Sequence, residues 1–261
     1  MIHDFLSGAA ILARAIQVIK RPDVRLYAIV PLLINIVLFG GLIWFGYAQL
    51  SHSVDWLMSF VPGFLDLLRW IIWAFITGLT TIVVFFTFTP IANIVAAPFN
   101  ALLAERIEAV LTGKPLESTA SFTEIAISSI RSQFGKLIYI LLWSLGLLLI
   151  SFIPVINFIS PFLWIIFGSW LLSLEYFDYP MGNHDLSFAN QKKRLGERRG
   201  LILGFGGSVM VLTTIPLINF VVMPLAVAGA TIIWVEQLAD SANKSSSSSN
   251  SSKQLKSQPL V

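Results

Sequence analysis

Charged and uncharged positions divide the chain before any other property does. Asp, Glu, Lys and Arg are absent from 26–54, 70–104, 137–174 and 200–235. An apolar run of about 20 residues can cross a bilayer as a helix. The pattern therefore predicts an all-α integral membrane protein, with long membrane helices over 24–50 and 70–104. The run 137–174 is different, because it is too long for one span and too short for two complete spans plus a turn. Pro154 and Pro161 break it near its middle. Its first arm has about 17 residues and its second about 13, or about 25 Å and 20 Å of helix. Arms that short, joined at a Pro-bounded tip, predict a hairpin that enters the membrane partway and returns to the face it left.

The phrase at that tip is repeated. Ile153-Pro154-Val155-Ile156-Asn157-Phe158 recurs as Ile215-Pro216-Leu217-Ile218-Asn219-Phe220, followed by Pro224. A second half-penetrating hairpin is predicted over 201–235. A fainter echo, Pro90-Ile91-Ala92-Asn93 with Pro98, lies inside 70–104, where the prolines predict a bend or interruption. Internal repetition with broken apolar segments is the mark of transporters and channels.

The remaining stretches are amphipathic or polar. Phe5, Ala9, Leu12, Ile16 and Ile19 step along one helical face, with Ser7, Arg14 and Gln17 away from it. This predicts an interfacial helix over 1–20, lying on the membrane and ending at Lys20-Arg21-Pro22. Residues 105–136 form a polar helical segment expected on the cytoplasmic side. Leu111-Thr112-Gly113-Lys114-Pro115 reads as a helix end with a glycine cap, and Ser121-x-x-Glu124 as a capping box. The Ser-rich tail, 241–261, cannot bury enough apolar surface to fold and is predicted disordered. Residues 1–240 are thus read as one helical membrane domain.

Composition narrows the class. Of 261 residues 56% are hydrophobic and 12% charged, which excludes an ordinary soluble domain. There is no cysteine, hence no disulfide framework and no thiolate site. His3, His52 and His184 are too dispersed for a compact metal motif, so neither a metal nor another cofactor is expected. The net charge of +3 is better read as membrane topology than as a nucleic-acid surface. Lys and Arg cluster before Leu26, in 105–136, in 175–200 and in the tail, whereas the connector 51–69 holds only Arg69. If each hairpin returns to its own side, the rich regions share one face, and the positive-inside rule makes both termini cytoplasmic.

Two sets of residues are candidates for chemistry. Asn93, Asn157 and Asn219 are either turn caps or, with Asn35 and Asn100, amides lining a polar conduit. A polar side chain at membrane depth needs a partner or water. Lys20, Arg21 and Arg25 are either interfacial anchors or an anion-capture site, since arginine offers a rigid fork matched to oxyanions. The Leu111-Thr112-Gly113 turn is a plausible backbone partner, because glycine permits close approach. Gly78-Leu79-Thr80 competes with it but falls inside a predicted span.

Several motifs together resemble the CysZ-type bacterial sulfate permease family: Ala96-Ala97-Pro98-Phe99-Asn100, Leu111-Thr112-Gly113, Asp178-Tyr179-Pro180-x-x-Asn183-His184 and Ile215-Pro216-Leu217-Ile218-Asn219. Arg25 ahead of Val30-Pro31-Leu32-Leu33-x-Asn35 belongs to the same set. The likeness covers roughly residues 5–238. It implies a multi-pass protein of the bacterial inner membrane that admits sulfate for cysteine synthesis and assembles as a homo-oligomer, a dimer or a multiple of dimers. It also implies an architecture of two long transmembrane helices, two half-penetrating helical hairpins and an N-terminal interfacial helix. Family members bind sulfate near a basic pair at the start of the first membrane helix and a turn containing Gly, Leu and Thr. Here Arg25 matches the first of that pair, Leu26 stands at the second position, and Arg21 or Lys20 is left to assist. The implied partners are the sulfate ion and the lipid bilayer, with no nucleic acid.

Three functions compete on these residues. A permease without an energy-coupling domain fits the missing phosphate-binding loop motif. A non-transporting scaffold is the first alternative, because half-inserted hairpins also shape bilayers. An intramembrane enzyme using Asp178, His184 and Asp185 is the second, but their spacing suits no acid–base arrangement. Sulfate flux into vesicles separates the three.

Overall fold

The computed structural model describes residues 2–59, 66–114 and 122–239. Among them every regular element is helical and no strand occurs. The capping residue Ser121 and the Ser-rich tail lie outside the described residues.

Helix α1 (Ile2–Ile19) ends in a turn closed by Arg21 N–H on the Val18 carbonyl, 3.1 Å. Helix α2 (Pro22–Met58) starts at once, with Pro22 at the first helical position, where its missing N–H costs nothing. Its 37 residues span about 55 Å and the 47 of α3 (Asp66–Thr112) about 70 Å. Both exceed the lengths expected from charge alone, since helices continue through polar residues beyond the apolar run. The interruption expected at Pro90 and Pro98 does not occur, and α3 runs unbroken through both. Helices in membranes tolerate proline where neighbouring groups re-satisfy the freed carbonyls. Pro90-x-x-Asn93 is therefore no tip, and a capping role for Asn93 is excluded by its mid-helix position. Nor is 105–136 an element of its own. Its start is the last two turns of α3, and its end opens α4 (Phe122–Ser151).

The other two copies of the repeat do turn the chain. Helix α4 passes through Pro154 and a 3-10 turn (Ile156–Ile159) into α5 (Ser160–Gly182). After α6 (Phe188–Glu197), α7 (Arg199–Thr213) turns at Thr214 and Ile215 into α8 (Pro216–Ile233), which ends in a π-helical turn, Trp234–Leu238. In both copies the asparagine N–H bonds the carbonyl of the isoleucine four residues earlier: Asn157 on Ile153 at 3.0 Å, Asn219 on Ile215 at 2.9 Å. The geometries around that shared bond differ. Val155 adopts φ 74°, ψ −48°, near the strained γ-turn conformation, whereas its counterpart Leu217 lies within the first turn of α8.

By Cα proximity the chain separates into two compact units, 29–99 and a second made of 1–28 with 100–261. The first consists of the greater parts of α2 and α3 and exposes Trp44, Trp56, Trp70 and Trp73. The second holds α1, both hairpins and the core described below. There α8 is the inner helix, buried continuously from Leu225 to Trp234, with α1, α5 and α7 packed on it. The first hairpin is peripheral. Leu141, Leu142, Leu149, Phe152, Phe158 and Phe162 are all exposed, an apolar surface of the kind that meets lipid or another apolar surface.

Helix α1 buries Gly8, Ile11, Leu12 and Ala15 against the core and leaves Phe5 and Ile16, on the stripe expected to lie against the membrane, exposed. The reason is steric. A Cβ at Gly8 would collide with the Leu201 carbonyl oxygen, and one at Gly204 with the Phe5 carbonyl oxygen. Two helices approach to backbone contact only where both present glycine or other small residues. By length and composition, three segments among the described residues could cross a membrane: Ile2–Ile19, Ile156–Gly182 and Pro216–Leu238.

Candidate functional site

The charged ends of these helices meet in one polar layer of the second unit. Lys136 stands at the threshold of the apolar part of α4, with only 5% of its side chain exposed. Its Nζ lies 2.9 Å from Asp178 Oδ2 and 3.1 Å from Glu175 Oε2, both near the end of α5. Gln191 of α6 donates to Asp178 Oδ1 at 2.8 Å and to the Leu186 carbonyl at 3.0 Å. Burial alone would push the Lys136 pKa down. Asp178 and Glu175 outweigh it, and the net shift is upward.

The end of α3 fits into the same layer. Asn100, 1% exposed, donates to the Tyr179 hydroxyl at 3.4 Å, and Asn183 donates to the Ala101 carbonyl at 2.9 Å. His184 Nε2 is 2.8 Å from Glu108 Oε1, and its ring packs on Trp234, 5.2 Å between centroids. Glu108 Oε2 and Trp234 Nε1 are buried without hydrogen-bond partners among the described residues. Two further bonds tie the second hairpin to the layer: Arg194 Nη1 to the Leu238 carbonyl at 3.0 Å, and the two-pronged Arg14–Glu236 pair at 2.8 and 2.6 Å.

The residues singled out from the sequence fall into three places. Arg21 closes the α1–α2 turn and Arg25 lies in the first turn of α2; both side chains are exposed and enter no ion pair among the described residues. One residue before Val24, the Asp23 carbonyl accepts from Arg106 Nε at 3.2 Å, which joins the start of α2 to the end of α3. The Leu111-Thr112-Gly113 turn closes that end about 9 Å further along α3. Gly113 has φ +70°, the left-handed cap expected of it, and its N–H bonds the Ala109 carbonyl at 3.0 Å. The Lys114 N–H is held by Thr112 Oγ1 at 3.3 Å, so the N–H groups of Gly113 and Lys114 are both engaged. Of the asparagines, Asn157 and Asn219 are exposed at the two tips and Asn100 is buried in the polar layer. The side chains of Asn35 and Asn93 lie outside the described ones.

Sequence reasoning missed the Lys136 cluster, although Lys136 and Glu175 are the charges that bound the run 137–174. Two bounding charges of opposite sign are a usable signal, because a hairpin brings the ends of its run together. Asp178 and His184 do not converge as an enzyme pair would; one serves Lys136 and the other Glu108.

The family described as "Sulfate transporter CysZ/Etoposide-induced protein 2.4" matches residues 11–224. A protein of Pseudomonas paraeruginosa named "Sulfate transporter CysZ" is 40% identical over 240 residues, 91% of this chain and 98% of that one. Proteins of the same name are 41% identical in Pseudomonas aeruginosa, over 89% of this chain and 96% of that one, and 39% identical in Vibrio parahaemolyticus, over 85% and 91%. The chain belongs to this family.

Proposed function

We propose that the chain is a sulfate permease of the bacterial inner membrane, importing sulfate for cysteine biosynthesis. One observation carries the reading: some nine-tenths of the chain aligns with proteins named as sulfate transporters. The relatives compared above are named as transporters, and the enzyme alternative lapses with them.

Capture falls to Arg25, helped by Arg21 and Arg106. Arg25 is exposed in the first turn of α2, where the positive end of the helix dipole favours an anion. Arg106, bonded to the Asp23 carbonyl, brings a second guanidinium to the start of α2 and stands in for the cation that Leu26 does not supply. The Leu111–Gly113 turn shapes the approach, the N–H groups of Gly113 and Lys114 being engaged within the protein. Passage runs along the asparagine-bearing helix breaks, where neutral amides bind weakly enough to release the ion. The assembly is a homo-oligomer, a dimer or a multiple of dimers.

Both hairpins are re-entrant in this reading, which the meeting of their ends supports. Lys136 touches Glu175 across the first run, and Arg194 touches Leu238 across the second. A single crossing of either run would hold those ends a membrane apart. The same logic lays α1 in the interface, although its length would let it span. Asp4 pairs with Arg198 at the start of the second hairpin and Arg14 with Glu236 at its end, yet they lie about 15 Å apart along α1.

Radiolabelled sulfate uptake into liposomes tests the proposal, with wild type beside Arg25→Ala and Arg106→Ala. Protein-dependent uptake, reduced about tenfold by Arg25→Ala, is expected for loss of one charge-assisted contact worth about 1.5 kcal/mol. Unchanged uptake in both variants would remove the capture site. No uptake above empty liposomes, from protein that elutes as a single species, would remove the permease.

A further inference from the structure

The outer face of the first hairpin carries a groove that the permease reading does not use. It has a volume of about 800 Å³ and runs between α4, α5 and α6, with the start of α7 at one end. Its walls are apolar and arranged in levels, because the two arms run antiparallel. Trp170 Nε1 donates to the Tyr139 hydroxyl at 3.1 Å, Trp143 and Phe167 pack with rings tilted by 30° and centroids 6.4 Å apart, and Leu147 and Leu163 line the end toward the tip. From Tyr139 to Leu147 the groove descends about 12 Å toward the tip.

Its rim is basic. Lys192 lies 4.8 Å above the Tyr139 ring, and Lys193 and Arg199 line the same end. The neighbouring arginines are committed elsewhere: Arg194 holds the Leu238 carbonyl and Arg198 faces Asp4. Lys193 enters no ion pair among the described residues, and Arg199 spends only its Nε, on the Gly196 carbonyl at 3.2 Å. Glu197 is the one carboxylate of the lining, against three cations.

We propose that this groove is a binding site for one anionic phospholipid, its phosphate on Lys192, Lys193 and Arg199 and an acyl chain against Trp143, Phe167 and Leu147. Charge complementarity selects the occupant. The cations stand at the polar end of the hairpin and the apolar wall leads away from them toward the tip, which is the order of head and tail in a lipid leaflet. A free inorganic anion would satisfy the rim and leave the aromatic wall bare. An uncharged lipid would cover the wall and leave the cations unpaired. Basic recesses beside membrane helices recognise lipid phosphates by this combination, and an aromatic ring at the headgroup level anchors the boundary. Lys192 over Tyr139 is already partly oriented by its cation–π contact, which leaves its remaining N–H donors for the phosphate.

The test is contact quenching of tryptophan in the purified full chain, reconstituted in phosphatidylcholine and supplied with brominated phosphatidylglycerol or brominated phosphatidylcholine. Phosphatidylglycerol is expected to quench more at equal mole fraction. The excess should vanish in W143F/W170F, which removes two of the eight tryptophans, and in K192Q/K193Q/R199Q, which neutralises exposed side chains. Equal quenching by the two lipids, or an excess that survives both variants, would overturn the site. Loss of the excess on adding inorganic phosphate would assign the rim to a free anion instead. Because the chain has no cysteine, Trp143→Cys reports a second copy in the groove: disulfide-linked dimers with no lipid preference would likewise overturn the proposal. Should the triple variant aggregate, the wild-type lipid comparison and W143F/W170F still decide.

Discussion

Lys136 shows how much one buried cation can organise. Its ammonium is almost enclosed, whereas Asp178 is one-fifth exposed and Glu175 more than half. The two carboxylates are therefore unequal. Removing the lysine leaves Asp178 and Gln191 facing a vacated buried position, so Lys136→Ala should cost about 3 kcal/mol. Glu175→Gln should cost under about 1 kcal/mol, since solvent screens that pair. Thermal unfolding in detergent would rank the two, and equal losses would contradict the burial argument. The sign of the pH dependence follows from the raised lysine pKa. A cation held above its ordinary value contributes fully below that value and loses its contribution as pH climbs through the folded one. The deficit of Lys136→Ala should thus stay constant from about pH 6 to 9 and shrink only in stronger alkali. At this scale the sequence was partly legible. Gly113 as a left-handed cap followed from Leu-Thr-Gly-Lys-Pro, but nothing local distinguishes Asn100, which is buried against Tyr179, from Asn157, which is exposed at a tip.

Between elements, glycine decides which faces meet. The apolar stripe of α1 marked the side expected to lie against the membrane, whereas the side packed on α7 is set by Gly8 and Gly204, which admit each other's backbones. Periodicity locates a helix but not its partner, and residues that form a close crossing are too small to register as hydrophobic. Gly8→Ala and Gly204→Ala each place a methyl group against a carbonyl oxygen that only backbone movement can relieve. Each should destabilise by about 1–3 kcal/mol. Gly146→Ala, with nothing within 4 Å of the added carbon, should instead be neutral or stabilising by up to about 1 kcal/mol. Melting temperatures of the three variants measured side by side would check this, and a neutral Gly8→Ala would mean that α1 does not sit on α7 as closely as described. The hairpins themselves were legible, since Pro-x-x-Asn marks both tips. The third copy misled because a proline weakens a membrane helix without having to end it; α3 continues through Pro90 and Pro98.

For the whole molecule the decisive quantity is the number of times the chain changes sides. Read as single spans, 137–174 and 200–235 would carry the segment 175–199, with Lys192, Lys193, Arg194, Arg198 and Arg199, across the membrane. That segment holds more Lys and Arg than any other part of the chain, and Lys and Arg are what the positive-inside rule counts. Read as re-entrant hairpins, they leave it beside the N-terminal segment, as the Arg198–Asp4 and Arg14–Glu236 pairs require of the ends they join. The two topologies differ in one accessible residue. With no native cysteine, Ser187→Cys before α6 and Ser59→Cys after α2 can each be probed alone with a membrane-impermeant maleimide. In intact cells whose outer membrane has been made permeable, Ser59→Cys should label, and Ser187→Cys should label only after the inner membrane is opened. Labelling of Ser187→Cys in the intact state would turn the first hairpin into a crossing. It would also place Lys136 and Glu175 on opposite faces, contrary to their 3.1 Å contact. The same experiment therefore tests the topology and the ion pair together.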